Sequence, residues 1–177
     1  MMKEPKLYGE CLEVSDSFSD DLLLTLFPYE KALNGKTRRE ALVEQLSLFY
    51  TTDNDKKILD YSSIDTLGNA SVMDFGEITA AFQSTKVQVD LDVLVSTNPT
   101  FADNYFFCAV INETKKEIFV PAVFAEVVSE TWEAEFPSGW INTDTIHAIP
   151  FITDAKTQSE GFGTMSVIER PITETII

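Results

Sequence analysis

Hydrophobic and polar positions follow two different periods along this chain. In the first third the spacing is helical. Ser19-Asp20-Asp21 stands before Leu22-Leu23-Leu24-Thr25-Leu26-Phe27, which predicts a capped short helix that Pro28 stops. Asn34-Gly35 is a turn signal. Thr37, with Glu40 three residues on, predicts a capping box. Ala41, Leu42, Gln45, Leu46 and Phe49 then share one face of a second helix, about four turns long. The polar run Thr51-Thr52-Asp53-Asn54-Asp55 is expected to end it.

After residue 70 the period drops from about 3.6 to 2. In Lys86 to Ser96, Val87, Val89, Leu91, Val93 and Val95 alternate with Gln88, Asp90 and Asp92, the pattern of a half-buried antiparallel strand that Asn98-Pro99 breaks. Asn104 to Ile111 reads as an apolar strand. Residues 112–116 are its turn, and Glu117 to Val128 its returning partner, with Pro121 marking an edge or a bulge. Thr131 to Phe136 alternates, and Pro137-Ser138-Gly139 turns. Thr145 to Thr153 is a strand that Pro150 is expected to interrupt, and Met165 to Glu169 is the last strand. Gly161-Phe162-Gly163 before it reads as a bulge or turn.

Strands at this spacing, after one or two short helices and without β–helix–β alternation, predict an α+β, mainly β fold. Its centre would be an antiparallel β-sandwich, immunoglobulin-like or jelly-roll-like. The expected division is a helical element and linker over residues 1–70 and a β domain with an apolar tail over 71–177. Leu67-Gly68-Asn69 and Gly76 punctuate the change.

Charge narrows the function. The chain has 177 residues, 29 of them acidic and 13 basic, for a net charge of −16. Residues 1–59 carry 8 basic and 11 acidic side chains, so most of the excess lies in residues 60–177. That excess argues against direct contact with nucleic acid or an anionic membrane surface. No apolar run is long enough to span a bilayer. The charged start shows no signal-peptide pattern, so synthesis in the cytoplasm with reduced thiols is expected. Cys11 and Cys108 stand apart in sequence, and Cys108 sits in an apolar run where a buried thiol is the default.

Candidate chemistry is sparse. A single histidine and two separated cysteines argue against a zinc site, and no metal or cofactor is expected. Asp53-Asn54-Asp55 opens like a calcium loop, but Ile58 and Ile64 occupy the positions that need glycine and glutamate. His147 lies between apolar neighbours, as a partly buried or cross-strand-paired histidine does, and no nucleophile motif accompanies it. No glycine-rich phosphate loop is present. Asp90 with Asp92, and Glu133 with Glu135, form same-face carboxylate pairs on strands. They read as solvated strand faces rather than as a glycosidase pair, for which the chain offers little cleft. Trp132 alternates with Ala134 and Phe136 as a core-facing stripe. Trp140, after a turn, is either a binding anchor or a lid over one end of the sandwich.

The end of the chain is apolar, with Ile172, Ile176 and Ile177. It either docks on its own domain or adds a strand to a neighbour. Leu7 to Val14 has the same two options.

Asp103-Asn104-Tyr105-Phe106, the Trp132 strand ending at Pro137, Thr145 to Phe151, and the polar loop before the strand near Val167 together resemble the immunoglobulin-like C-terminal region of uncharacterised Bacteroidetes prophage-type proteins. Ala148 and Ile149 stand where that family usually has a tyrosine. The resemblance implies a phage-type structural or assembly role and no catalytic residues. The leading expectation is therefore a non-enzymatic assembly or protein-binding module, most concretely a virion component. Its partners would be copies of itself or neighbouring subunits. The contact set comprises Trp140, Ile172, Ile176, Ile177, Asp90, Asp92, Glu133 and Glu135. An acidic inhibitor or immunity protein, adding Glu126 and Glu130 to those carboxylates and docking on a basic enzyme or DNA-binding surface, is the alternative. A carbohydrate-binding or carbohydrate-active protein using Trp132 or Trp140 is the third, and burial of both rings removes it.

Overall fold

The computed structural model describes residues 4–27, 29–68, 70–76, 78–122, 124–157, 166–169 and 171–175. The chain opens with helix α1 (Pro5–Asp16), where Leu7, Cys11 and Val14 recur at helical spacing and are buried. Leu7 to Val14 thus docks on its own molecule as a helix. Helix α2 (Asp20–Leu26) is capped as its sequence predicts: Ser19 Oγ accepts the Leu22 amide at 3.1 Å. Asn34 and Gly35 turn the chain with φ of 52° and 82°. Helix α3 (Arg38–Leu46) starts with Thr37 Oγ1 accepting the Glu40 amide at 3.1 Å. It has nine residues, shorter than its pattern suggests, and buries Leu42 and Leu46. Ser47 Oγ bonds back to the Glu44 carbonyl at 2.6 Å and ends it.

The polar run after this helix is a β-hairpin, β1 (Tyr50–Asp53) and β2 (Lys56–Leu59). Asn54 and Asp55 both take positive φ, 49° and 64°, as a two-residue type I′ hairpin turn requires. The first third is therefore not wholly helical.

The remaining strands begin with β3 (Ser71–Val72), β4 (Thr79–Phe82) and β5 (Lys86–Asp90). Helix α4 (Leu94–Thr97) follows, then β6 (Tyr105–Asn112), β7 (Glu117–Phe119), β8 (Ala125–Glu126), β9 (Thr131–Glu135), β10 (Thr145–Thr153), β11 (Ser166–Ile168) and β12 (Ile172–Thr175). The larger sheet runs β3-β11-β10-β6-β7, with β12 also on β10 and β8 also on β6. A second sheet runs β4-β5-β9. Among the described strands every pairing is antiparallel except β11 with β3. The fold is α+β, with mostly antiparallel sheets and one mixed sheet.

Burial explains which strands alternate. β9 alternates exposed and buried because one face is in water. β6 and β10 are buried on both faces. Phe106 of β6 meets Trp132 of β9 edge-on at 5.9 Å, so one face of the large sheet packs on the second sheet. His147 of β10 stacks on Tyr61 at 5.3 Å, so the other face is covered by the chain that follows β2. The buried cluster includes Leu7 and Leu42 as well as Val87 and Ile149, so residues 1–70 and 71–177 share one core.

Two expectations need correction. The strand expected to reach Ser96 ends at Asp90, whose carboxylate accepts the Asp92 amide at 2.9 Å and bends the chain. The chain then enters α4, which buries Leu94 and leaves Val93 40% exposed. Pro150 does not interrupt β10, although β10 has neighbours on both sides. A residue's N and C=O point to the same side of a strand, and the Pro150 carbonyl accepts the Glu169 amide at 3.0 Å. The missing N–H therefore faces Glu169, at the junction between β11 and β12, where the sheet forgoes a single bond beyond the end of β11. Pro121 behaves as expected for an edge, separating β7 and β8 on the same side of β6.

Candidate functional site

The residues singled out in the sequence do not converge on one site. Trp140 is buried, stacks on Phe136 at 5.5 Å and donates from Nε1 to Glu117 Oε2 at 2.9 Å. It is a packed side chain, not an exposed one. Trp132 is buried as well, which removes the carbohydrate reading by its own criterion. Ile172 is half-buried against the core in β12, a strand added to its own sheet. Ile176, Ile177 and Gly161-Phe162-Gly163 lie outside the described residues. Cys11 and Cys108 are free and buried.

Of the acidic set, Glu133 and Glu135 alternate outward on β9, and Asp90 is exposed on β5, paired with Thr131 of β9. They share the outer face of the smaller sheet with Lys86, whose Nζ lies 3.1 Å from Glu133 Oε2. Asp92 leaves this pairing because it follows the strand, so the Asp90–Asp92 pair does not form a strand face. Glu126 and Glu130 are exposed elsewhere on the chain.

The structure brings together a polar cluster that sequence reading did not assemble. His147 Nε2 lies 2.9 Å from Glu113 Oε2, and Nδ1 lies 2.8 Å from Thr173 Oγ1. A carboxylate only accepts, so Nε2 carries the proton, and in the neutral ring Nδ1 accepts from the threonine hydroxyl. Tyr61 covers the ring, and Lys116 Nζ sits 4.8 Å from the Tyr61 centroid and 4.0 Å from Glu10 Oε1. Burial, with Glu10 and Glu113 nearby, pushes the Tyr61 phenol far above its ordinary range. The cluster joins α1, the hairpin's end, the β6–β7 turn and β12. His147 is buried with both ring nitrogens engaged, so the cluster reads as a tie between elements distant in sequence. The one signal available for it was a histidine between apolar neighbours.

A cleft of about 740 Å³ lies between α2 and the start of α3. Lys36, Arg38 and Arg39 line it together with Asp20, Asp21 and Glu30. Its guanidiniums are already engaged. Arg38 Nε donates to the Phe27 carbonyl at 2.7 Å, and Arg39 donates to the carbonyls of Ser15 and Phe18.

The hairpin has one open edge and one guarded edge. Register pairs Tyr50 with Leu59 and Asp53 with Lys56. Asp60 N donates to the Phe49 carbonyl at 2.8 Å, which sets the phase of the ladder. Phe49, Thr51 and Asp53 therefore turn their backbone groups to β2, while Tyr50 and Thr52 turn theirs outward. The outer edge of β2 is guarded: Leu59 N donates to Glu10 Oε2 of α1 at 2.7 Å. The outer edge of β1 is not, for all four of its residues are exposed. Among the described residues nothing bonds the outward amides and carbonyls of Tyr50 and Thr52. Leu48 beside them is 69% exposed and Tyr50 is 44% exposed.

No protein-family model, curated protein or solved structure matches the chain.

Proposed function

We propose that this protein is a non-enzymatic assembly or protein-binding module, a two-sheet sandwich of immunoglobulin-like or jelly-roll-like type carrying contact edges. Its most concrete form is a phage-type virion component, made in the cytoplasm, that touches neighbouring subunits through sheet edges and termini. The open edge of β1 carries the reading. Unprotected edge strands pair with other chains, and folded proteins ordinarily blunt them with charge, proline or a covering helix. Here β2 has such a cover and, among the described residues, β1 does not. Tyr50, Thr51 and Thr52 have strong strand propensity and no charge. Backbone bonds along such an edge supply affinity, and flanking apolar groups such as Leu48 add to it.

The test is association, with itself or with a neighbour from its native source, measured by light scattering at low and high salt. Thr52→Pro removes an outward N–H that the hairpin does not use. The expected result is an association that persists in salt and is lost in Thr52→Pro and in Leu48→Asp, with the fold checked by circular dichroism. Unchanged association in both variants overturns the reading.

A second reading has its own observation. Asp90, Glu133 and Glu135 share one exposed sheet face, the kind of surface an acidic inhibitor presents to a basic enzyme or DNA-binding surface. Such a complex weakens steeply with ionic strength, whereas edge pairing does not.

A further inference from the structure

We infer that the occupant of the β1 edge is the β1 strand of a second copy, paired antiparallel about a two-fold axis at Thr51. This rests on the reading just given and names its partner. The outward groups sit on Tyr50 and Thr52, two residues apart. An antiparallel partner related by a two-fold axis normal to the sheet keeps every side chain on its own face. It therefore places equal residues opposite only where the ladder phase allows. With Thr51 on the axis, Tyr50 of each copy faces Thr52 of the other. All four outward amides and carbonyls of the two pairs then bond reciprocally, making a continuous four-stranded sheet.

Charge favours a second copy here over contact elsewhere between copies. The hairpin Tyr50–Leu59 holds Asp53, Asp55, Lys56 and Lys57, so it is neutral within a chain of net charge −16. Contacts between two copies through residues 60–177 bring together the two regions that hold most of the acidic excess. The hairpins meet without that repulsion. Like charges do not face each other across the new pairing, because Asp53 falls opposite Phe49. The same register places the Asn54 tip of one hairpin beside Leu48 of the other, covering one of the most exposed large apolar side chains. Lys57 Nζ, 4.5 Å from the Tyr50 centroid, lies over the ring and off the hydrogen-bonding edge, which stays clear.

Cysteine trapping tests the register. Thr51 and its symmetry mate form a pair not hydrogen-bonded to each other, about 4.5 Å apart at Cα, within disulfide reach. Thr52 and its mate are diagonal, about 7–8 Å apart, beyond that reach. Cys11 and Cys108 are buried, so the native background serves. Mild oxidation is expected to convert most of Thr51→Cys to a covalent dimer, and little of Thr52→Cys. Unmodified protein is expected to scatter light as a dimer that Thr52→Pro returns to monomer. Equal crosslinking of the two cysteine variants overturns the register. A monomer at every concentration, with no crosslink at Thr51, overturns self-pairing. If a foreign partner is then lost in Thr52→Pro, the edge reading stands without this inference. If nothing associates through the edge, both fall.

Discussion

Asp144 offers the sharpest test of what holds the β6–β7 end of the large sheet. It is fully buried, yet charged, and one oxygen does all the bonding: Oδ2 accepts from Asn112 Nδ2 at 2.7 Å, Lys115 Nζ at 2.6 Å and the Ile141 amide at 3.0 Å. Oδ1 has no partner. In Asp144→Ala, the Asn112 amide and the Ile141 N–H are left unpaired, at about 1–3 kcal/mol each. Lys115 is partly exposed and swings into water, adding little. The expected loss is about 3–4 kcal/mol on this reckoning. Asp144→Asn keeps an acceptor for Asn112 and Ile141 and exchanges one unpartnered atom for another, so about 1–2 kcal/mol is expected.

Urea unfolding at neutral pH, with the slope unchanged, measures both. The acid limb adds a second check. Burial pushes the Asp144 carboxyl up, but the bonds from Lys115, Asn112 and the Ile141 amide outweigh it and hold the group below its ordinary value. A depressed folded value means the stabilisation is complete above the unfolded pKa of about 3.9 and is lost as pH falls through the folded value. The gap between wild type and Asp144→Ala should therefore shrink in acid. A neutral-pH loss below about 0.5 kcal/mol in Asp144→Ala, within the range of an ordinary surface change, refutes the reasoning. So does a gap that stays constant into acid.

Three further outcomes are expected. Gly68 has φ of +62°, and a Cβ there collides with the Leu26 carbonyl, so Gly68→Ala should lose about 3 kcal/mol or more and lower the melting temperature by several degrees. Burial, followed by the Glu10 charge, pushes the Cys11 thiol up to about 12, and burial pushes Cys108 well above its ordinary value. A thiol reagent at mildly alkaline pH should therefore label neither cysteine in the native protein and both in denaturant. Replacing His147 by Phe keeps a ring against Tyr61 and removes the bonds to Glu113 and Thr173. Faster amide exchange confined to residues 172–175 is the expected signature, and unchanged exchange there would remove His147 as the tie that holds β12.

Local chemistry was legible wherever it acts within a few residues. Ser19 and Thr37 cap the helices they precede, and Asn34-Gly35 turns the chain. The alternation of Trp132 and Ala134 marks a strand with one wet face. The pattern misleads where a turn carries a weak signal or where neighbours remote in sequence decide. Val93 and Val95 continue the alternation of Val87 and Val89, yet an Asx turn at Asp90 ends the strand and Leu94 takes the core position. The polar run after α3 looked like a helix end. Two residues able to hold positive φ make it a hairpin, and a type I′ turn of Asn-Asp gives a weaker signal than Asn-Gly. Pro150 looked disruptive because its harmlessness depends on which neighbour its nitrogen faces.

The sequence by itself determined the starts of α2 and α3, the Asn34-Gly35 turn, the alternation of β9 and the large acidic excess. Each is a property of a short window or of composition, carried by side chains acting on their own backbone. Only the tertiary structure decided that β6 and β10 are buried on both faces, that Trp140 is buried, and that His147 joins Tyr61, Glu113 and Thr173. It also decided that β2 has a guarded edge and β1 an open one. Those outcomes depend on which elements pack together. Packing minimises exposed apolar area over the whole chain at once, so no local window contains the answer.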